Sequence, residues 1–189
     1  MTNVTIPGSV TNIGDWAFYH CTSLTSLTVG TNVTSIGANA FAETGLTSLT
    51  IPASVTSIGT NAFAYCTSLT NVTMGINVTS IGDLAFESCT SLIGVYFEGN
   101  APAADVTVFD DDNNATVYYL PGTSGWSSAF GGVPAVMLNP PNLAGFLQVI
   151  ITPAEAITAG AQWQVDGGIE QPSGATVLHW RPTEGQTGV

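Results

Sequence analysis

Hydrophobic and polar side chains alternate over short stretches of the first hundred residues, and the alternation recurs every 22 or 23 positions. In the stretch LTSLTI at 46–51, apolar and polar residues alternate from Ser48 onward. A period of two turns Leu49 and Ile51 toward one face of a strand and Ser48 and Thr50 toward the other. The pattern therefore predicts one short strand per repeat, with its apolar side chains directed inward.

The repeat period can be followed on single residues. Phenylalanines separated by steps of 23, 22 and 23 residues occur at Phe18, Phe41, Phe63 and Phe86. The short step coincides with AETGL, where the other repeats read YHCTSL, AYCTSL and ESCTSL, so we infer that the deletion removes the cysteine of that repeat. A period in the twenties with this leucine spacing is typical of a leucine-rich repeat solenoid.

Stacking of the repeats follows from burial, because one repeat cannot cover its own apolar face. We expect a mainly β solenoid of about four repeats, whose short parallel strands lie about 4.8 Å apart. Pro7, Gly30, Pro52 and Gly75 follow the strands and end them. Gly59 is expected at a tight bend with positive φ. The phenylalanines should fill the interior as an aligned column.

The unit LTSLTIPxSVTSIGxxAFxxCTS resembles the BspA-like leucine-rich repeats of bacterial surface and secreted proteins. The resemblance covers residues 4–98, and strand, Ile-Gly bend, Ala-Phe pair and Cys-Thr-Ser segment recur in order. It implies a curved solenoid used for adhesion or protein–protein contact, with no catalytic motif.

Residues 99–138 are interpreted as a C-terminal β cap on a solenoid of residues 1–98. Strands are expected at 106–109, 116–120 and 135–138. Segments such as ATVYYLPGT are similar to the closing segment that follows these repeats in secreted bacterial proteins. The bulk that covers an open solenoid end would come from Trp126, Phe130, Tyr118 and Tyr119. A platform on which sugars stack is the functional alternative for the same aromatic residues.

The last fifty residues form a different kind of sequence. NPPNLAG at 139–145 is interpreted as a stiff linker because of its proline pair. Residues 146–189 resemble PEGA-like β-sandwich modules through AGAQWQVDGG and SGATV, but about 45 residues are too few for a complete sandwich. We therefore expect a truncated β module, in a fragment that also lacks a leader and earlier repeats.

Charge excludes two classes of partner. The chain has one residue of the Lys and Arg types, Arg181, and a formal net charge of −12. Nucleic acids and anionic membrane surfaces require clustered basic residues and are therefore excluded as partners. No apolar run approaches the 18 residues or so that a membrane-spanning helix needs. A neutral, hydroxyl-rich surface instead favours a monomer outside the cell or on its surface.

Catalytic, cofactor and metal sites are not predicted. Cys21, Cys66 and Cys89 share one repeat position and fit no zinc spacing, so we interpret them as buried free thiols. His20 and His179 are far apart, and GTSGW is not a nucleophile elbow. The segment DDDNN could ligate calcium but lacks the glycine and distal glutamate of an EF-hand loop, which favours a solvated loop.

The outward strand positions form the candidate binding surface of a non-enzymatic protein. They are Ser26, Thr28, Ser48, Thr50, Asn71, Thr73 and Tyr96. This ribbon could bind a protein through many weak contacts, or its threonines could simply favour strands. Two further hypotheses stay open: a carbohydrate-binding module of a larger exported polysaccharide-handling protein, acting through Trp126, Tyr118 and Tyr119, and an ice-binding solenoid.

Overall fold

The computed structural model describes residues 2–138, which form twelve β-strands joined by turns and contain no helix. The bounds are β1 Asn3–Thr5, β2 Asn12–Ile13, β3 Ser26–Thr28, β4 Ser35–Ile36, β5 Ser48–Ile51, β6 Ser57–Ile58, β7 Asn71–Met74, β8 Ser80–Ile81, β9 Gly94–Phe97, β10 Thr116–Tyr119, β11 Ala129–Phe130 and β12 Val133–Met137. The predicted linker, the PEGA-like module and His179 lie outside these residues. Within 2–138, no helix is long and apolar enough to span a bilayer.

The strands stack as a solenoid, which confirms the predicted fold class. We define coil 1 by β1 and β2, coil 2 by β3 and β4, coil 3 by β5 and β6, coil 4 by β7 and β8, and coil 5 by β9. The first strands of coils 3 to 5 belong to a six-stranded sheet of order β11-β12-β10-β9-β7-β5. The second strands of coils 1 to 4 form a parallel sheet of order β2-β4-β6-β8. Within the described part, only β11 with β12 is antiparallel.

The third side of the solenoid consists of the turns that connect the second strand of each coil to the first strand of the next. A column of phenylalanine rings fills the interior of this side, as predicted. Successive ring centroids from Phe18 to Phe86 lie 5.0, 5.4 and 5.2 Å apart, with planes within 10° of parallel. Phe41, Phe63 and Phe86 are fully buried. Each ring is covered by the ring of the next coil, so the coils stabilise one another through this column.

The backbone of the third side is left-handed at two positions in most coils, which the sequence pattern did not predict. Residues with positive φ lie two positions before or two positions after a column phenylalanine, and they are Trp16, His20, Asn39, Glu43, Asn61, Tyr65, Leu84, Ser88 and Asp111. Left-handed φ is disfavoured for bulky side chains such as Trp16, Tyr65 and Leu84, whereas Asn and Asp tolerate it better. Hydrogen bonds between coils offset that cost: Phe41 N–H donates to the Ala62 carbonyl at 2.8 Å, and Phe63 N–H to the Ala85 carbonyl at 2.8 Å.

The prediction of positive φ at Gly59 is wrong. The described glycines with positive φ are Gly122, Gly125, Gly131 and Gly132, all in the C-terminal part. A Cβ atom at Gly59 would lie 2.7 Å from the Ala38 backbone nitrogen of the preceding coil. Glycine is therefore required here because two backbones approach closely, a constraint that one repeat read in isolation does not reveal.

The repeat architecture extends beyond residue 98. The prediction of a strand at 106–109 is wrong, because these residues form turns. The turns bury Phe109 against Phe86, with 5.5 Å between the ring centroids. Phe109 follows Phe86 by 23 residues and so keeps the period. The strands expected at 116–120 and 135–138 are confirmed as β10 and β12, and β10 pairs in parallel with both β9 and β12.

The one-residue deletion does not remove the residue at the cysteine position of coil 2, contrary to our expectation. Thr44 takes that position, three residues after Phe41, and its Oγ1 lies 2.9 Å from the Phe41 carbonyl oxygen and 3.1 Å from Cys66 Sγ. The missing residue is the next one along the turn. The first sheet is interrupted beside the deletion, because β3 pairs with β1 and not with β5.

The three cysteines are free, as predicted, but only two of them are buried. Cys66 and Cys89 are buried, whereas Cys21 is half-buried. The thiols of Cys66 and Cys89 donate to carbonyl oxygens of the preceding coils at 3.3 and 3.2 Å. Contact with the Cys66 thiol and burial raise the pKa of Cys89, which keeps its thiol protonated and unreactive.

Candidate interaction face

The outward side chains of β5, β7, β9 and β10 form one continuous surface, which we call the sheet face. Strand register places Ser48, Asn71, Gly94 and Thr116 side by side in one row. Thr50, Thr73, Tyr96 and Tyr118 are side by side in a second row. The structure thus brings together five of the seven predicted binding residues: Ser48, Thr50, Asn71, Thr73 and Tyr96.

Ser26 and Thr28 lie on a strand, β3, that approaches β5 but does not pair with it. They are exposed on β3, where they stand opposite Asn3 and Thr5 of β1. Because β3 does not pair with β5, these two residues belong to a separate two-stranded ladder. The interruption at the deletion could not be inferred from the outward positions alone.

The character of the sheet face changes along the solenoid axis. Its second row runs from the hydroxyls of Thr50 and Thr73 to the rings of Tyr96 and Tyr118 and then to the exposed side chain of Val136. The two tyrosine rings stack at 5.2 Å with planes 15° apart. From the sequence, Tyr118 is assigned only to the cap and the sugar platform, and Val136 is not singled out. The 23-residue step to Phe109 would have carried the repeat register as far as β10.

The Tyr96 ring packs over a glycine of its own strand and stacks on Tyr118. A Cβ atom at Gly94 would lie 2.8 Å from the Tyr96 ring, which therefore lies across the buried Gly94. Tyr96 nevertheless remains 37 % exposed. A large aromatic group that is ordered by its neighbours loses little conformational freedom on contact with a partner.

Threonines of the sheet face differ from those at the flanks of the strands. Six flanking threonine hydroxyls donate to a backbone carbonyl of the preceding coil, at 3.0 to 3.5 Å, and they belong to Thr25, Thr34, Thr47, Thr56, Thr70 and Thr79. These side chains stabilise the stack. The hydroxyls of Thr50 and Thr73 have no such partner among residues 2–138 and are free to contact another molecule.

The three aromatic residues of the glycan hypothesis do not form one platform. Tyr118 and Tyr119 are neighbours in β10 and point to opposite faces, as the strand period requires. The Trp126 ring stacks on Tyr119 at 4.8 Å and meets the edge of Phe97 at 4.9 Å. Its Nε1–H donates to Thr123 Oγ1 at 3.0 Å. Trp126 and Tyr119 therefore pack against the core at the C-terminal end, whereas Tyr118 lies on the sheet face.

A second polar group lies on the third side. Glu43 accepts hydrogen bonds from the Tyr19 hydroxyl at 2.7 Å on Oε1 and from His20 Nδ1 at 2.8 Å on Oε2. The bond from Tyr19, followed by that from His20, lowers the pKa of the Glu43 carboxyl, so Glu43 is ionised at neutral pH. The same contact raises the pKa of Tyr19.

The acidic segment 110–114 is not wholly a solvated loop, contrary to our expectation. Asp112 lies three residues after Phe109, at the cysteine position of coil 5, and is only 2 % exposed. In the described part of the chain, neither of its carboxylate oxygens has a partner at ordinary hydrogen-bond geometry. Burial is the main cause that raises the pKa of Asp112 to about 7. Within residues 2–138, no group of three or more His, Cys, Asp or Glu side chains could hold a metal ion.

Comparison with a family model agrees with this repeat geometry. The model of the BspA type leucine rich repeat region matches residues 1–116 in six copies. A leucine-rich repeat protein from Bacteroides ovatus ATCC 8483, solved by crystallography, is similar at 28 % identity and a TM-score of 0.53, over 63 % of this chain and 33 % of that one. A leucine rich cell surface protein from Faecalibacterium prausnitzii A2-165 is 22 % identical over 65 % of this chain and 55 % of that one, with a TM-score of 0.37. No curated protein matches the chain.

Proposed function

Because the chain belongs to the BspA-type leucine-rich repeat family, we propose that it is a non-enzymatic adhesion module that binds a protein partner through its sheet face. The family match and the hydroxyl-rich, lysine-free composition support a place outside the cell or on its surface. The chain spans about a third of the length of its Bacteroides ovatus neighbour. What a longer protein of this kind would bind is therefore likewise a proposal.

The proposal rests on the alignment of outward side chains across neighbouring strands. Thr50, Thr73, Tyr96 and Tyr118 lie on neighbouring strands, and the hydroxyls of the two threonines are not used within the described fold. Tyrosine is enriched where protein partners meet, because its ring supplies contact area and its hydroxyl a hydrogen bond. Hydroxyls beside an ordered aromatic pair suit a protein surface of mixed polarity.

The test compares two double variants of the full chain that add the same charge. Thr50→Arg with Thr73→Arg alters the sheet face, whereas Thr31→Arg with Thr90→Arg alters exposed turn residues away from it. Each chain is coupled to beads and measured for binding to purified extracellular proteins and, in parallel, to a glycan array. Circular dichroism confirms that both variants fold.

We expect the wild type and the turn variant to bind the same protein, and the sheet-face variant to bind it at least about tenfold more weakly. Two bulky cations at the centre of an interface displace contacts that are each worth about 1 kcal/mol or more. Equal binding by both variants contradicts the proposal. Binding to glycans alone would replace it with the carbohydrate hypothesis.

A further inference from the structure

The deletion in coil 2 leaves a cavity of about 370 Å³ on the surface between coils 1 and 3, which we call the notch. Its lining includes Thr22, Glu43, Thr44, Gly45, Tyr65 and Thr67. Coils 1 and 3 carry Cys-Thr-Ser at this turn, whereas coil 2 carries only Thr-Gly before its leucine. Gly45 follows coil 1 so closely that a Cβ atom there would lie 2.4 Å from the Thr22 carbonyl oxygen. The shortened turn thus forms the floor of the notch.

A carboxylate lies on one wall of the notch. The Glu43 side chain is 37 % exposed and is held by the Tyr19 hydroxyl and by His20. Each carboxylate oxygen can accept a second hydrogen bond, because an ionised carboxylate offers about four lone-pair sites. Glu43 is therefore oriented and ionised, and it still has capacity for a donor from outside.

An aromatic ring lies beside this carboxylate. Tyr65 is 47 % exposed, and its hydroxyl donates to Glu87 Oε1 at 3.1 Å, which fixes the ring against the next coil. Tyr65 has φ of 59°, the left-handed conformation that recurs on this side of the solenoid. The electron-rich face of such a ring attracts a cation held within about 6 Å.

Among residues 2–138, the lining of the notch contains no Lys or Arg side chain. Arg181 is the only residue of the Lys and Arg types in the sequence, and it lies outside the described residues. Among residues 2–138, the ion-pair partner of Glu43 is His20, which is charged only when protonated. Glu43 and Glu87 therefore leave this part of the surface electronegative, and its complement is a positively charged group.

We propose that the notch binds an arginine side chain from a basic segment of a protein partner. A guanidinium group is planar, so it can stack on Tyr65 while it donates hydrogen bonds to the Glu43 carboxylate. The hydroxyls of Thr22 and Thr67 can accept its remaining hydrogen bonds. The notch is separate from the sheet face. A negative result for arginine binding at the notch can therefore be distinguished from a negative result for partner binding at the sheet face.

The test titrates the full-length, ¹⁵N-labelled chain with a peptide that contains two arginines between glycines. A second peptide carries citrulline in place of arginine, which keeps the shape of the side chain and removes its charge. Glu43→Gln removes the proposed charge from the notch, and Glu98→Gln is the matched control at an exposed glutamate elsewhere. Neutral oligosaccharides are titrated in parallel.

We expect the arginine peptide to shift the amide signals of Gly45 and its neighbours, with an affinity that falls at least about fivefold in Glu43→Gln and stays unchanged in Glu98→Gln. The citrulline peptide should produce no shift, and added salt should weaken the binding of the arginine peptide. The proposal is overturned by equal shifts with citrulline, by equal losses in both variants or by no shift at all. Shifts at Gly45 with oligosaccharides alone would assign the notch to sugars instead.

Discussion

Asp112 stands at a position where other coils place a thiol or a hydroxyl. Cys21, Thr44, Cys66 and Cys89 all lie three residues after a phenylalanine of the column. A buried carboxyl without a hydrogen-bond partner is unfavourable when it is charged. Its pKa is therefore raised to about 7, mainly by burial. The nearby Cys89 backbone acts in the opposite direction, and the charges of Asp111 and Asp110 add smaller contributions that raise the pKa.

Replacing Asp112 should change how stability depends on pH. The pKa of Asp112 rises from its ordinary 3.8 to about 7 in the folded chain, so the folded state holds a proton that the unfolded state releases. Stability from this group is fully present below about pH 4, falls through the window from 4 to 7, and is lost above it, with a slope approaching about 1.4 kcal/mol per pH unit. Asp112→Asn should remove that slope.

Urea unfolding at several pH values, with Asp83→Asn as the control at an exposed aspartate, measures this difference. The difference between wild type and Asp112→Asn should grow as the pH rises from 4 to 7. A difference that is the same at every pH would show that Asp112 is not buried as a protonated acid.

Gly59 supplies a second residue-scale prediction. Gly59→Ala should destabilise the chain by about 1–3 kcal/mol, because its new methyl group would lie 2.7 Å from the Ala38 nitrogen. Gly14 has the same repeat position, and nothing lies within 4 Å of a Cβ added there. Gly14→Ala should therefore be neutral or slightly stabilising. Equal thermal midpoints for the two variants would contradict close packing of the coils.

At the scale of elements, the phenylalanine column links every coil to its neighbours. In a solenoid, stability is approximately a sum of contributions from repeats and from nearest-neighbour interfaces. Phe63 stacks on both sides, at 5.4 Å from Phe41 and 5.2 Å from Phe86. Phe18, at the end of the described column, stacks on Phe41 alone and is half-buried.

Phe63→Ala should therefore cost about 3–5 kcal/mol in free energy of unfolding, as expected for a fully buried ring. Phe18→Ala should cost clearly less, because part of its ring is already exposed to solvent. Denaturant titrations followed by circular dichroism compare the two variants. Equal costs would mean that the rings do not stack in the order described.

Most of the repeat architecture could be predicted from the sequence, and the exceptions have physical causes. The strand around Leu49 follows from local alternation, and the column of phenylalanines follows from a constant step. The left-handed residues, such as Leu84, could not be predicted, because hydrogen bonds between coils and not local preference determine them. Phe109 could have been placed, since it continues the period that we expected to end at 98.

Less of the candidate site was accessible from the sequence. The outward direction of Thr50 and Tyr96 follows from strand period alone. The notch depends on how the turns of three coils lie in space, so the missing residue in AETGL identified its place but not its lining. The stacking of Trp126 on Tyr119 likewise required coordinates, because composition fits a cap and a sugar platform equally well.

For the whole molecule, stacking and charge together define what the surface can do. The coils fix the rows of the sheet face in register, and the flanking threonines use their hydroxyls to hold the coils together. The formal net charge of −12 repels nucleic acids and anionic membranes. A rigid, neutral face on an acidic scaffold is suited to selective contact with a protein.

Site-specific photo-crosslinking from the sheet face tests this account most directly. A benzophenone-bearing phenylalanine replaces Tyr96 in the full chain, and a control chain carries it at Ile76, which is 56 % exposed in a turn away from the sheet face. After irradiation on intact cells, the account predicts a discrete protein adduct from position 96 that excess unlabelled chain abolishes, with none from position 76. Adducts of equal yield from both positions, or none from position 96, would contradict it.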